Sequence, residues 1–406
     1  MYKIGDNIIS SLGFTTDENF NAVKQGISGI KHYESGTFDL PEAFMASLID
    51  KERLNDEFSR HCCKNQSPKT GNSDFRQNGG YTNLEKATIL SVFEANYAAQ
   101  IDLSSEKTIF ILSTTKGNID LLENKAHHCG LDPKSPVYLW KTAKTISDFF
   151  KNSNTPIVVS NACISGAAAQ IAAMRELQSG NYDYAVAAGV DFLSKFIISG
   201  FQSFKALSPE LCRPFDKNRC GLNLGEAAAA IIFSREPKEV QGKEGFRLIA
   251  GAIRNDANHI SAPSRTGEGS FSALKSVLSN LKSDHLTSQI AFINAHGTAT
   301  PYNDAMEMTA IVRAGLENVP VNSLKSYFGH TLGAAGIVET IISMRALSEK
   351  LILKTLGFEE NEQLTINDEQ FNLDICKENT PTDKTCFVKM MSGFGGVNAG
   401  LVFGKC

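Results

Sequence analysis

TPIVVSNACISGAAAQIAAMRELQSG, residues 155–180, changes character at its centre. Its first nine residues are apolar and partly β-branched, the pattern of a short buried strand. From Ile164 to Gly180 small and apolar residues recur at helical spacing. A strand that stops and feeds a helix leaves the junction on the carboxyl edge of a sheet, where α/β proteins usually place their sites. Cys163 stands at that junction. A helix N-terminus carries partial positive charge and free N–H groups. Such a setting favours thiolate and lowers the pKa from about 8.5. The same N–H groups can hold an oxyanion. Free cysteine is also among the most buried residue types and often only fills space. On this stretch alone Cys163 is either a nucleophile or a packing residue.

The same grammar extends outward. KTIFILSTT (107–115), YAVAAGVDF (184–192) and EAAAAIIFS (226–234) also have strand patterns, and helical patterns separate the strands. This alternation predicts an α/β protein with a parallel sheet covered by helices. The polar stretch REPKEVQGKEG (235–245) is the best boundary between halves. Beyond it SFSALKSVLSNLKSD (270–284) and GAAGIVETIISMRALSEK (333–350) are helical, and SQIAFINAHGT (288–298) is a strand entering a loop. CFVKMMSGFGGVNAGLVFG (386–404) is strand, glycine turn, strand. The similar order predicts two duplicated α/β halves, 1–240 and 241–406. KNQSPKTGNSDFRQNGGYTN (64–83) is expected to be a surface loop with mobile parts.

Composition narrows the class. With 406 residues, 42% of them hydrophobic, the chain can bury a large core. A net charge of −4 argues against a general binder of nucleic acid or anionic membranes. The opening MYKIGDNIISSLG lacks signal-peptide shape, and no apolar run reaches the roughly 18 residues of a membrane span. Nine scattered cysteines, an odd number, fit a reduced cytoplasm better than a secreted disulfide scaffold. HCC at 61–63 and HHC at 127–129 lack paired ligand spacing, so no metal is expected.

A thiol nucleophile needs partners. FINAHGTATPYND (292–304) puts His296 just past a strand, and NSLKSYFGHTLGAAGIVE (322–339) puts His330 ahead of an Ala/Gly-rich helix, with Lys325 five residues earlier. Singly, each histidine reads as an ordinary polar loop residue. Together with Cys163 they form a set: reactive side chains at strand ends, beside small residues. SGFGGVNAG (392–400) adds glycines that admit positive φ and expose backbone N–H groups, and its Phe394 could cover an apolar pocket.

With these motifs in this order, the chain resembles the elongating β-ketoacyl-acyl-carrier-protein synthases, similar to synthase II among the thiolase-fold condensing enzymes. The resemblance runs from IISSLGFTTDENFNAVKQGISGI (8–30) through NACISGAAA, GFQSFKALSPELCRPFDKNRCGLNLGEAAAAIIF (200–233) and NDANHISAPSRTGEG (255–269) to HGTATPYNDAME, KSYFGHTLGAAG and SGFGGVNAG. It implies a layered αβαβα fold and an acyltransferase carrying acyl chains on Cys163. His296 and His330 would stabilise the enolate left by malonyl decarboxylation, and Lys325 would orient His330 and the carboxylate network. The N–H groups of Cys163 and Phe394 would form an oxyanion hole, with Phe394 also a gate. Glu307 and Asp304 would be supporting carboxylates. Thr298, Thr300 and Ser261 would touch the phosphopantetheine arm, and Lys205 and Arg213 would dock an acidic carrier protein. No cofactor would be required, since phosphopantetheine arrives on acyl and malonyl carrier proteins. A homodimer or a heterodimer with a related subunit is implied.

Departures concern the substrate. Only Pro209, Glu210, Leu211 and Cys212 separate KALS from RPFD, and STTKGNIDLL (113–122), expected to line the cavity, lacks the usual glycine-rich form. Fatty-acid elongation and a specialised polyketide or polyene role both remain open. A thiolase would need a second cysteine where GFGGVN stands. A non-catalytic chain-length partner would lack the nucleophile.

Overall fold

The computed structural model describes residues 1–62, 80–123, 135–237, 245–281, 287–361, 364–366 and 369–406. Most of the 64–83 loop, the HHC triplet at 127–129 and much of the 235–245 stretch lie outside the described residues.

Ten strands form one sheet: β1 (Tyr2–Ser10), β2 (Thr108–Ser113), β3 (Ile157–Val159), β4 (Tyr184–Asp191), β5 (Ala227–Ser234), β6 (Phe246–Asn255), β7 (Ile290–Asn294), β8 (Val321–Asn322), β9 (Cys386–Gly393) and β10 (Val397–Lys405). Their order is β8-β7-β9-β10-β6-β1-β5-β4-β2-β3. The junction β6–β1 is only two residue pairs wide, Tyr2 with Arg247 and Lys3 with Phe246. Five strands from the first part of the chain therefore lie on one side of a narrow waist, and five from the second part on the other.

The expected parallel sheet is found only in the outer three strands of each side, where β2 runs parallel to β3 and β4, and β7 to β8 and β9. The inner strands are antiparallel, because β9 turns directly into β10 through Phe394–Gly396, a hairpin link too short for a crossover.

The helices complete the layers. Helix α1 (Asn83–Ala99) packs outside β1, β5 and β4, and α3 (Glu268–Ser279) outside β6 and β10, with α4 (Pro301–Arg313) beside it. Helices α2 (Ser165–Gln178) and α5 (Ala335–Ser348) pack on each other and on strands of both sides, forming the middle layer of an αβαβα stack. Strand β5 shows why both faces are apolar. Ala227, Ala229, Ile231 and Phe233 join the central core, while Ala228, Ala230 and Ile232 join the outer one. Among the described residues no helix is long and apolar enough to cross a membrane.

The small residues that open α2 and precede α5 let the two backbones touch. A Cβ added at Gly166 would lie 2.9 Å from the Gly333 carbonyl oxygen, and one at Gly336 would lie 2.4 Å from the Ala167 nitrogen. This crossing brings the junction ahead of α2, with Cys163, against the loop ahead of α5, with His330.

Candidate active site

Three reactive groups meet where the turn ahead of α2 faces the loop after β7 and the loop ahead of α5. The Cys163 sulfur and one ring nitrogen each of His296 and His330 lie within 4.8 Å of one another. They open onto a cavity of about 490 Å³, which Phe201, Phe204, Lys205, Thr298, Thr300 and Phe394 also line.

Cys163 sits on a tight turn. Ala162 before it has φ +46°, the left-handed region that costs a residue with a Cβ about 1–2 kcal/mol. Ser165 holds the turn, its hydroxyl accepting from the Asn161 N–H at 2.8 Å and donating to the Ala162 carbonyl at 2.6 Å. On the other flank Gly393 approaches so closely that a Cβ there would stand 3.2 Å from the Cys163 nitrogen. The Phe394 N–H points at the thiol. The Phe394 amide thus lies beside the sulfur.

The expected lowering of the thiol pKa is not what the structure has. Burial pushes the Cys163 thiol up to about 11, against the opposing pull of Lys325, the Phe394 N–H and Lys116. One amide at the start of α2 is also spent, since the Ser165 N–H turns back to the Ala162 carbonyl at 3.2 Å. The resting group is a thiol.

His296 follows β7 directly, and its loop is held from below by helix α4. Glu307 accepts the His296 and Gly297 N–H groups, each at 2.7 Å. Asp304 accepts the Thr298 N–H at 3.0 Å and the Phe215 N–H at 2.8 Å, with the Arg219 guanidinium 3.9 Å away. Burial raises the pKa of both carboxyls, and these N–H donors resist it. Both residues hold the turn and are fully buried.

The partners of each ring identify its proton. The Lys325 ammonium, which can only donate, lies 3.4 Å from His296 Nδ1. The Leu332 N–H donates to His330 Nδ1 at 3.3 Å. Each Nδ1 is therefore an acceptor, which assigns the hydrogen to Nε2 in both rings. Burial first, then the Lys325 charge, hold both imidazoles well below the usual histidine range, so both are neutral at pH 7. His330 Nε2 is buried without a partner. The rings stand edge to face, 5.0 Å apart. Two neutral N–H donors beside a thiol suit a developing oxyanion.

Lys325 meets a carboxylate, as expected, but its histidine contact is with His296. Its ammonium holds the His296 carbonyl at 2.9 Å and pairs with Glu339, and it reaches His296, not His330. His330 is placed instead by backbone bonds, its N–H to the Asn223 carbonyl at 2.7 Å and its carbonyl from the Gly225 N–H at 3.1 Å.

The cavity gathers most of the other candidates. Thr298 and Thr300 share a hydroxyl bond of 2.8 Å and line it, as does Ser261. Lys205 is exposed at its rim, whereas Arg213 pairs with Glu210 at 3.2 Å and is not among the lining residues. Residues 113–122 are not among them either. Phe394 stacks on Phe201 at 5.9 Å and meets Phe204 edge-on at 5.4 Å, an aromatic cluster over the opening. Gly395 and Gly396, both with positive φ, carry that loop.

Among the buried ionisable residues not anticipated, three bear on the site's surroundings. Glu339 lies in an otherwise apolar stretch of α5, Lys389 in the apolar strand β9, and Asp191 at the end of β4 accepts the Gly333 N–H at 2.7 Å. A lone charge inside a buried apolar run is the signal that could have found them.

The Cys163, His296 and His330 donors are also close enough to share a soft metal ion. With both Nδ1 atoms accepting from other groups and the hydrogen on Nε2 in each ring, neither imidazole offers a free lone pair to a metal in this arrangement.

Comparison with known proteins settles the lineage. The model of the beta-ketoacyl synthase N-terminal domain matches residues 102–239, and that of the C-terminal domain matches 247–359. The chain belongs to the beta-ketoacyl synthase family. A relative from Vibrio harveyi, named 3-oxoacyl-acyl-carrier-protein synthase 2, is 26% identical over 99% of this chain and 97% of its own length. Its namesake from Staphylococcus aureus strain COL is 31% identical over 60% of each chain. Among solved structures, the ishigamide ketosynthase/chain length factor superposes with a TM-score of 0.82 at 23% identity, covering 100% of this chain and 98% of that one. A beta-ketoacyl synthase from Burkholderia phymatum STM815 gives 0.80 at 23%, covering 100% and 99%. These likenesses establish the thiolase-like ketosynthase fold for the chain.

Proposed function

We propose that this ketosynthase family member is a 3-oxoacyl-acyl-carrier-protein synthase, an acyltransferase that lengthens a thioester-bound acyl chain by two carbons. One observation carries the reading: two neutral imidazoles, each with its proton on Nε2, stand beside a buried thiol at the end of an open cavity.

Each step has its group. The Cys163 sulfur attacks the acyl thioester, a new carbon–sulfur bond forms, and the thiol proton ends on the departing phosphopantetheine sulfur. Malonyl carrier protein then enters. The bond to its carboxyl carbon breaks, carbon dioxide leaves, and the electron pair becomes an enolate whose oxygen accepts hydrogen bonds from His296 and His330. Such a donor is worth about 3–4 kcal/mol when removed. The enolate carbon attacks the acyl-Cys163 carbonyl, whose oxyanion rests on the Cys163 and Phe394 N–H groups. The Cys163 sulfur leaves as a thiolate, takes a proton from solvent, and a 3-oxoacyl thioester departs.

Phosphopantetheine would lie along Thr298, Thr300 and Ser261, and Lys205 at the rim would meet an acidic carrier protein. Arg213 is a weaker docking candidate because Glu210 already neutralises it. No further cofactor takes part in these steps. The chain would fold as two halves, 1–240 and 241–406, act in the cytoplasm, and serve fatty-acid or polyketide biosynthesis. Edge strand β3 leaves Ile157, Val158 and Val159 only half-buried, which supports pairing with a second copy or a related subunit.

Carbon dioxide release from malonyl carrier protein tests the reading. Wild-type protein should release it, and His296→Ala and His330→Ala should each slow release by about 100- to 1000-fold. Release unaffected by both substitutions would overturn it.

A further inference from the structure

Lys389 is a fully buried cation that none of the steps above uses. It lies on β9, where its register partner is Asn294 on the neighbouring strand. Its ammonium donates to the Asn294 carbonyl at 3.4 Å and to the Ala295 carbonyl at 3.2 Å. The Lys325 ammonium takes the next carbonyl, that of His296, at 2.9 Å. Three consecutive carbonyls are thus gripped by two ammonium groups, and they lead directly into a histidine at the thiol.

The two grips are joined. Glu339 accepts from Lys389 at 2.5 Å through one oxygen and from Lys325 through the other. Its helix α5 starts five residues after His330. A Lys–Glu–Lys triad therefore ties the end of β7, strand β9, the segment after β8 and helix α5, beside the loops that carry His296 and His330. It also carries one positive charge in excess. That charge favours the neutral form of both imidazoles, where it acts alongside burial. Its potential has the sign that an enolate on the same imidazoles would need. Burial itself opposes the Lys389 charge and lowers its pKa, while Glu339 and Glu307 sustain it.

We propose that Lys389 is a positioning residue for malonyl decarboxylation: it clamps the loop of His296 and, through Glu339, the ammonium of Lys325. The proposal rests on the condensing function above. Cys163 and its turn belong to the other side of the molecule and share no bond with Lys389 among the described residues, so the thiol's own reactivity should not depend on the clamp.

The test separates the two halves of the reaction in the full-length protein. Lys389→Met keeps the length of the side chain and leaves Lys325 and Glu339 as a neutral pair, so no buried charge is orphaned. Lys389→Gln is the second variant, able to keep one carbonyl bond. Carbon dioxide release from malonyl carrier protein and alkylation of Cys163 by iodoacetamide are both measured, with kcat and KM resolved for the former. The expected result is a fall of about 10- to 100-fold in kcat for carbon dioxide release from Lys389→Met. A smaller fall is expected for Lys389→Gln, with KM and the alkylation rate close to wild type in both. Release at the wild-type rate, or release and alkylation falling together, would overturn the proposal. A wild-type protein that releases no carbon dioxide would instead overturn the condensing function on which it rests.

Discussion

At the scale of single residues, the site is governed by the partners of its polar atoms. His296 and His330 are alike as donors because different groups, an ammonium and a backbone N–H, occupy the same ring position in each. Cys163, His296 and His330 stood out in the sequence only as a set, at strand ends beside small residues, since each alone read equally well as a packing or ordinary loop residue. The elevated thiol pKa was not legible, because a sequence pattern shows the helix N-terminus that lowers it and hides the burial that raises it. This difference is measurable. Only the thiolate is alkylated. With the thiol near 11, the rate of Cys163 alkylation by iodoacetamide should rise about tenfold per pH unit between pH 7 and 9, without levelling. A plateau already reached at pH 7 would mean that the helix N-terminus and Lys325 outweigh desolvation.

At the scale of elements, the crossing of α2 and α5 sets the distance between nucleophile and His330. Both Ala/Gly-rich helix starts were visible in the sequence, but their mutual contact joins residues some 170 positions apart, which no local pattern encodes. Gly336→Ala would place a Cβ 2.4 Å from the Ala167 nitrogen, where backbone must move and no flexible side chain can yield. Such overpacking costs about 1–3 kcal/mol. The expected outcome is a lower urea midpoint together with slower acyl transfer to Cys163. A variant with unchanged stability would show that the helices slide apart at no cost. The inner antiparallel strands were likewise hidden. Strand–helix alternation describes the outer parallel strands well, whereas the pairing of β1 with β5 and of β1 with β6 depends on long-range register.

At the scale of the whole molecule, the proposed reaction draws on both sides of the sheet. The proposed nucleophile comes from the first part of the chain, and the histidines with their ammonium groups come from the second. The strand patterns that contribute to each side of the sheet were readable from the sequence. The buried charges that cross-link the second side were not, because Glu339 and Lys389 are single interruptions in apolar runs and gain meaning only when the fold brings them to Lys325. The most direct measurement is intact-protein mass spectrometry. The protein is incubated with a panel of acyl carrier proteins, and malonyl carrier protein is then added. The account predicts an acyl adduct on Cys163 that disappears on that addition, with release of a 3-oxoacyl product two carbons longer, and no adduct on Cys163→Ala. Failure of every acyl group to form an adduct, or an adduct that persists with malonyl carrier protein present, would contradict it.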